Sequence, residues 1–301
     1  MTEPAFHSAP RPHDVLGAQM RAVGLALRGP AIVVTALIAL ATLLLTIEFL
    51  RAGQPIDFHP EQQVLFGTLG LLFPIGVWMG EDRFGTAFLW TLPVDRRWHA
   101  LAKVFAGWVW LMMSVALVVL WLLALALLSG GNAFSEETLR VLPSLSHTAS
   151  RIFDPGAVQD VRWTPGLLIR LVPFTAATGT YLAASALALG TRQPLRWVAG
   201  TVLGLVLLVV VKNAANVELP VNGHSDLLAW LVRGSYGVDA LLTARTESLQ
   251  VSATLSTGET VVVWRALPDL VEWAVATFIW TVAGLVALVA AASRHRESRR
   301  A

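Results

Sequence analysis

Long apolar runs separated by short polar stretches set the rhythm of this chain. Six of them, over residues 30–50, 62–80, 103–128, 166–190, 197–217 and 270–293, are each close to the ~20 residues that a helix needs to cross a ~30 Å hydrocarbon core. The second carries Gly67, Gly70, Pro74, Gly76 and Gly80, a composition that permits close helix contact and a kink at Pro74. The fourth is rich in small residues (Ala176, Ala177, Gly179, Ala183, Ala184, Ser185) suited to helix packing, with Arg170 near its start in a place to snorkel toward headgroups. Ahead of the first run, residues 14–28 place Val15, Leu16, Met20, Val23, Leu25 and Leu27 against Arg21 and Arg28. That period predicts an amphipathic helix lying on the membrane surface, capped by Asp14, with Pro30 opening the first span.

Two polar segments are long enough to hold structure of their own. Residues 129–165 read as a loop with helix-forming and turn-forming pieces. Residues 218–268 are richer: 226–243 suggest one or two short amphipathic helices broken at Gly234. From 248 to 264, Leu249, Val251, Ala253 and Leu255 alternate with polar residues ahead of a Gly-containing turn at Ser256–Glu259, which predicts a β-hairpin. The expected fold class is an all-α polytopic membrane protein: one transmembrane domain over 1–301, six spans, an N-terminal interfacial helix within 1–29 and a small extracytoplasmic hairpin.

Composition agrees. Only 14% of the 301 residues are charged, against about 25% in soluble domains. There is no cysteine, which removes disulfides, thiolate chemistry and Cys-ligated metals. The first fourteen residues have no closely following apolar stretch of the kind a secretory signal needs. With six spans, both termini and the loops 81–102 and 191–197 share one side. That side, with Lys103 at the edge of the third span, holds thirteen of the 22 Lys and Arg but only six of the 20 Asp and Glu. The positive-inside rule makes it cytoplasmic, so both termini are expected in the cytoplasm and 129–165 and 218–268 outside an inner membrane. The overall basic balance is then orientation charge, and no nucleic-acid partner is expected.

The densest polar chemistry lies in Gly80–Lys103, GEDRFGTAFLWTLPVDRRWHALAK. Glu81, Asp82 and Arg83 end the second span. Gly85 and Thr86 allow a bend. Phe88, Leu89, Trp90 and Leu92 form a short apolar turn stopped by Pro93. Asp95 is placed to cap a helix starting at Arg96, and Arg96, Arg97, His99 and Lys103 lead into the third span. An acidic span end, a Gly-Thr pair, a short amphipathic helix, Leu-Pro, a basic patch and a span-entering Lys together resemble the ABC-2 family of ABC transporter permeases. The resemblance implies that Glu81, Asp82, Arg83, Gly85, Thr86, Phe88, Leu89, Leu92, Pro93, Arg96 and Arg97 couple the chain to a separate ATP-binding-cassette ATPase. It also implies a second permease chain, identical or related, as partner, surrounding membrane lipid, and ATP with Mg on the ATPase and no cofactor in this chain. The extent of the 213–268 segment departs from the plainest members of that family.

No G-x-x-x-x-G-K-[ST] phosphate loop, H-E-x-x-H, G-x-S-x-G or G-x-G-x-x-G is present, so the chain is not expected to be an enzyme or to hydrolyse ATP alone. His59-Pro60-Glu61 is the nearest approach to an acid–base or metal pair and reads as an outer loop. Two other functions stay open. An ion-gradient-driven secondary transporter would want an acidic residue at mid-span, and none stands there. A membrane-embedded lipid-modifying enzyme would have His147, Asp154, His224 and Asp226 at its disposal, with no diagnostic spacing.

Overall fold

A computed structural model describes residues 12–51, 53, 56–59, 64–78, 96–132, 136–142, 152–153, 155–164, 166–191 and 234–294. The expected span over 197–217, the loop residues 79–95 and the tail after 294 lie outside them. Helix α1 (Pro12–Arg51) is followed by α2 (Leu65–Val77), α3 (Arg96–Leu128), β1 (Glu137–Val141), β2 (Ile152–Phe153), β3 (Gln159–Trp163), α4 (Val172–Gly190), α5 (Val238–Thr243), α6 (Thr246–Leu249), β4 (Gln250–Leu255), β5 (Thr260–Trp264) and α7 (Leu270–Arg294). Among the described residues, four helical segments are long and apolar enough to cross a membrane: Ile32–Arg51, Arg97–Leu128, Leu167–Gly190 and Leu270–Ser293. The chain is a mostly helical membrane protein with a small sheet. Helix α2, at 13 residues, extends only about 20 Å at 1.5 Å per residue. It is shorter than the run from which it was read, and it ends one turn after Pro74, at Trp78.

The first helix departs from expectation. In place of a surface helix and a separate span, Pro12–Arg51 is one unbroken helix with Pro30 inside it. Packing accounts for this. Gln19, Val23 and Leu27, four residues apart, are buried along one stripe. The Trp110 indole of α3 donates to the Met20 carbonyl (3.1 Å). Gly24 faces the Trp110 ring, and Gly76 of α2 faces Leu27. These contacts draw the stretch before Pro30 alongside α3. They outweigh the single hydrogen bond that the proline removes.

Helix α4 is the centre. It packs against α2, α7, α3 and α5. Its small residues let neighbours approach: a Cβ on Gly70 of α2 would strike the Ala177 carbonyl of α4, and one on Gly284 of α7 would press on Leu182. Buried donors lock α3 to α4. The Tyr181 hydroxyl donates to the Val104 carbonyl (2.7 Å) and the Trp108 indole to Thr178 Oγ1 (3.1 Å).

The hairpin forms where it was expected, with Thr254 opposite Thr260 and Gly258 at φ 85° in the turn, a conformation that glycine adopts without strain. It is not isolated. The segment read as a loop before α4 supplies three more strands, giving a five-stranded sheet in the order β2-β4-β5-β1-β3. Strands β1 and β3 pair antiparallel, while β1 joins β5 and β2 joins β4 in parallel. Leu139, Val141, Val161 and Trp163 alternate with Thr138, Arg140, Asp160 and Arg162, a period of two that polar neighbours had hidden. The apolar set closes with Leu249 and Trp264 into a small core, which Trp163 links to Ile169, Val172, Ala244 and Trp273 at the top of the bundle.

The helices have two distinct ends. At the sheet end, the stretch between α1 and α2 lies against the end of α3: Phe58 N–H donates to the Asn132 carbonyl (2.8 Å) and Ile56 N–H to Ser129 Oγ (3.0 Å). At the other end, Gly190 of α4 meets Ala291 of α7, and Trp78 of α2 meets Lys103 of α3.

Candidate functional site

Of the coupling residues, Glu81, Asp82, Arg83, Gly85, Thr86, Phe88, Leu89, Leu92 and Pro93 lie outside the described residues. Arg96 is the first residue of α3, as the cap position before it suggested, and Arg97 is half-buried in the first turn. What the structure does place is the root of that stretch on both sides. Trp78, the residue that closes α2, is buried, and the Lys103 ammonium lies 4.8 Å from the centroid of its ring. Lys103 itself is 5% exposed, so it stands inside the bundle and not at a span entrance. The helix begins seven residues earlier than the apolar run. A desolvated cation over an indole face is worth about 2 kcal/mol or more. Beside it, the Gln19 amide of α1 meets His99 Nδ1 of α3 at 3.4 Å. Three helices therefore converge where the 79–95 stretch leaves and returns, and its two roots are held to one another. The chemistry available there is mechanical and electrostatic.

A second polar centre stands in the sheet half of the bundle, and the sequence reading missed it. Short helix α5 packs against α4 and α7, with Leu241 against Gly179 and Leu242 against Gly67. Two ties fix it along α7. The Trp280 indole donates to the Tyr236 carbonyl (3.1 Å), and the Arg245 guanidinium pairs with the Glu272 carboxylate. Between α5 and α6, Ala244 and Arg245 both take left-handed φ values, 50° and 63°. Non-glycine residues hold that conformation only where the surroundings impose it. Here Thr246 Oγ1 donates to the Thr243 carbonyl (2.6 Å) and Leu249 N–H to the Arg245 carbonyl (3.1 Å). Thr243 Oγ1 donates to Asp239 Oδ1 (3.1 Å). The buried side-chain atoms in this region with no hydrogen-bond partner include Asp239 Oδ2, Trp273 Nε1 and Thr277 Oγ1. The available signal was Arg245, the one cation between Arg233 and Arg265, with Glu272 in the first turn of α7.

The remaining candidates serve as braces or fall outside. His59 Nδ1 lies 3.6 Å from Glu137 of β1, tying the stretch between α1 and α2 to the sheet. Arg170 stacks over Phe58, 5.4 Å from its centroid. His147, Asp154, His224 and Asp226 lie outside the described residues. Among the described residues, no group of three or more His, Cys, Asp or Glu is placed to hold a metal. A scan against protein-family models, a search of curated proteins and a search of solved structures each return no match to this chain.

Proposed function

We propose that this chain is the transmembrane subunit of an ABC-2 type ABC transporter, an exporter of the cytoplasmic membrane driven by ATP hydrolysed on a separate ATPase subunit. The observation that carries the reading is the Trp78–Lys103 contact. It roots both sides of the charged, apolar-centred stretch 80–103 in the end of α2 and α3. A push on Phe88, Leu89 and Leu92 would therefore move two helices together. Gly70 transmits that movement, because it seats α2 directly on the backbone of the central α4. The sixfold crossing fits as well: α4 finishes at the loop end while Tyr236 stands in the sheet half beside Trp280. In this reading the 197–217 run crosses between them as a further span. In this reading the loop end faces the cytoplasm, the sheet faces outward, and a second permease chain completes the path.

The test is affinity purification from native membranes. The tagged chain is expected to bring down an ATP-binding-cassette ATPase. Phe88→Asp with Leu92→Asp would bury unpaired carboxylates in a docked helix, at a cost of several kcal/mol. The ATPase should then be lost while the membrane level of the chain holds. An undiminished complex would show that this stretch does not couple.

A further inference from the structure

We propose that the corner between α5 and α6 is a binding site for a protonated amine with an oxygen beside it, as in a free amino alcohol or the headgroup of an amine-bearing lipid. The proposal stands independently of the ATPase reading. The two ties, Tyr236 to Trp280 and Arg245 to Glu272, bracket a short length of α5 against α7. Within the bracket lie Asp239 on one side and Trp273 and Thr277, one turn apart, on the other. Trp273 is 6% exposed and packs with Ala244 at the corner itself. Each of the three presents a buried polar atom without a partner, and native folds rarely leave such atoms unmatched.

Their chemistry is selective. Asp239 Oδ2 only accepts, the Trp273 indole N–H only donates, and the Thr277 hydroxyl does either. A ligand for all three must donate to a carboxylate and accept from an indole. A simple anion fails at the carboxylate. A metal ion is less suited: the described residues gather no group of three or more His, Cys, Asp or Glu to hold one, and the indole N–H would point its positive end at it. Charge then chooses between a neutral and a cationic ligand. Asp239 and Glu272 stand against Arg245, and Glu272 pairs with Arg245. Carboxylates thus outnumber cations at the corner, which favours a ligand that brings a positive charge. The consecutive left-handed residues Ala244 and Arg245 are the kind of stored strain that clusters at ligand sites. The corner reaches the surface: the Arg245 and Glu272 side chains are about a quarter exposed, and Tyr236 is exposed as well.

The test titrates ethanolamine onto the purified full chain in detergent micelles and follows the thermal unfolding midpoint. Choline and sodium chloride at matched ionic strength serve as controls. A parallel arm compares the chain in phosphatidylethanolamine and phosphatidylglycerol nanodiscs. A saturable rise with ethanolamine indicates the free amine as source. A rise confined to phosphatidylethanolamine discs indicates the lipid headgroup. In either case Asp239→Asn should shift the midpoint concentration, or the lipid dependence, by about tenfold or more, the scale of a charged hydrogen bond. Trp273→Phe and Thr277→Val should shift it less. These two keep the test alive if Asp239→Asn does not accumulate. No response to either amine, an equal response to choline and sodium, or a response unchanged in the folded variants would overturn the assignment.

Discussion

Helices α1 and α4 are both membrane-length, yet they are built on opposite plans. The apolar window of α1, Ile32–Arg51, is 6% buried, while that of α4 is 44% buried and is the least apolar of the four candidate spans. Leu37, Leu40 and Leu44 of α1 face outward, whereas Ala176, Ala177, Gly179 and Tyr181 of α4 are enclosed. In water the ranking would be reversed. In lipid, tails solvate leucine as well as a protein core does, so helices associate through close packing and hydrogen bonds. Small residues therefore mark the centre and large aliphatic ones the rim.

Three substitutions test that contrast, measured as unfolding in mixed micelles. Gly70→Val should have the largest effect, because its side chain would meet the Ala177 carbonyl of α4, which cannot move aside. A loss of about 3 kcal/mol or failure to accumulate is expected; near-normal stability would mean that α2 and α4 are not in contact. Tyr181→Phe removes the hydroxyl that donates to the Val104 carbonyl and should cost about 1 kcal/mol. Leu37→Ala, on the outward face of α1, should fall within about 0.5 kcal/mol of wild type. A larger loss would place that face against protein.

Legibility in the sequence followed the same division. Apolar runs are a one-dimensional signal, so α3, α4 and α7 stand where hydropathy put them. The hairpin was readable because its strands alternate and adjoin a glycine turn. Strands β1 and β3 were not, since each is five residues long and gains its partner only across the fold. The continuity of α1 through Pro30 was hidden for a similar reason: Trp110, 90 residues beyond Met20, ties the stretch before the proline to α3. The corner at Ala244 and Arg245 was invisible because φ is not written in residue type, and its charges join only when α5 lies along α7. On the loop side, the basic start of α3 was legible, while the burial of Lys103 against Trp78 required the contact itself.

The central claim is that the sheet and the 80–103 stretch occupy opposite sides of one membrane. The chain has no cysteine, so single cysteines report sidedness without background. Thr257, in the exposed hairpin turn, replaced by Cys should react with an impermeant maleimide in intact cells. Ala87→Cys should react only after the membrane is opened. Equal labelling of both from outside, or labelling of Ala87→Cys alone, would contradict the account.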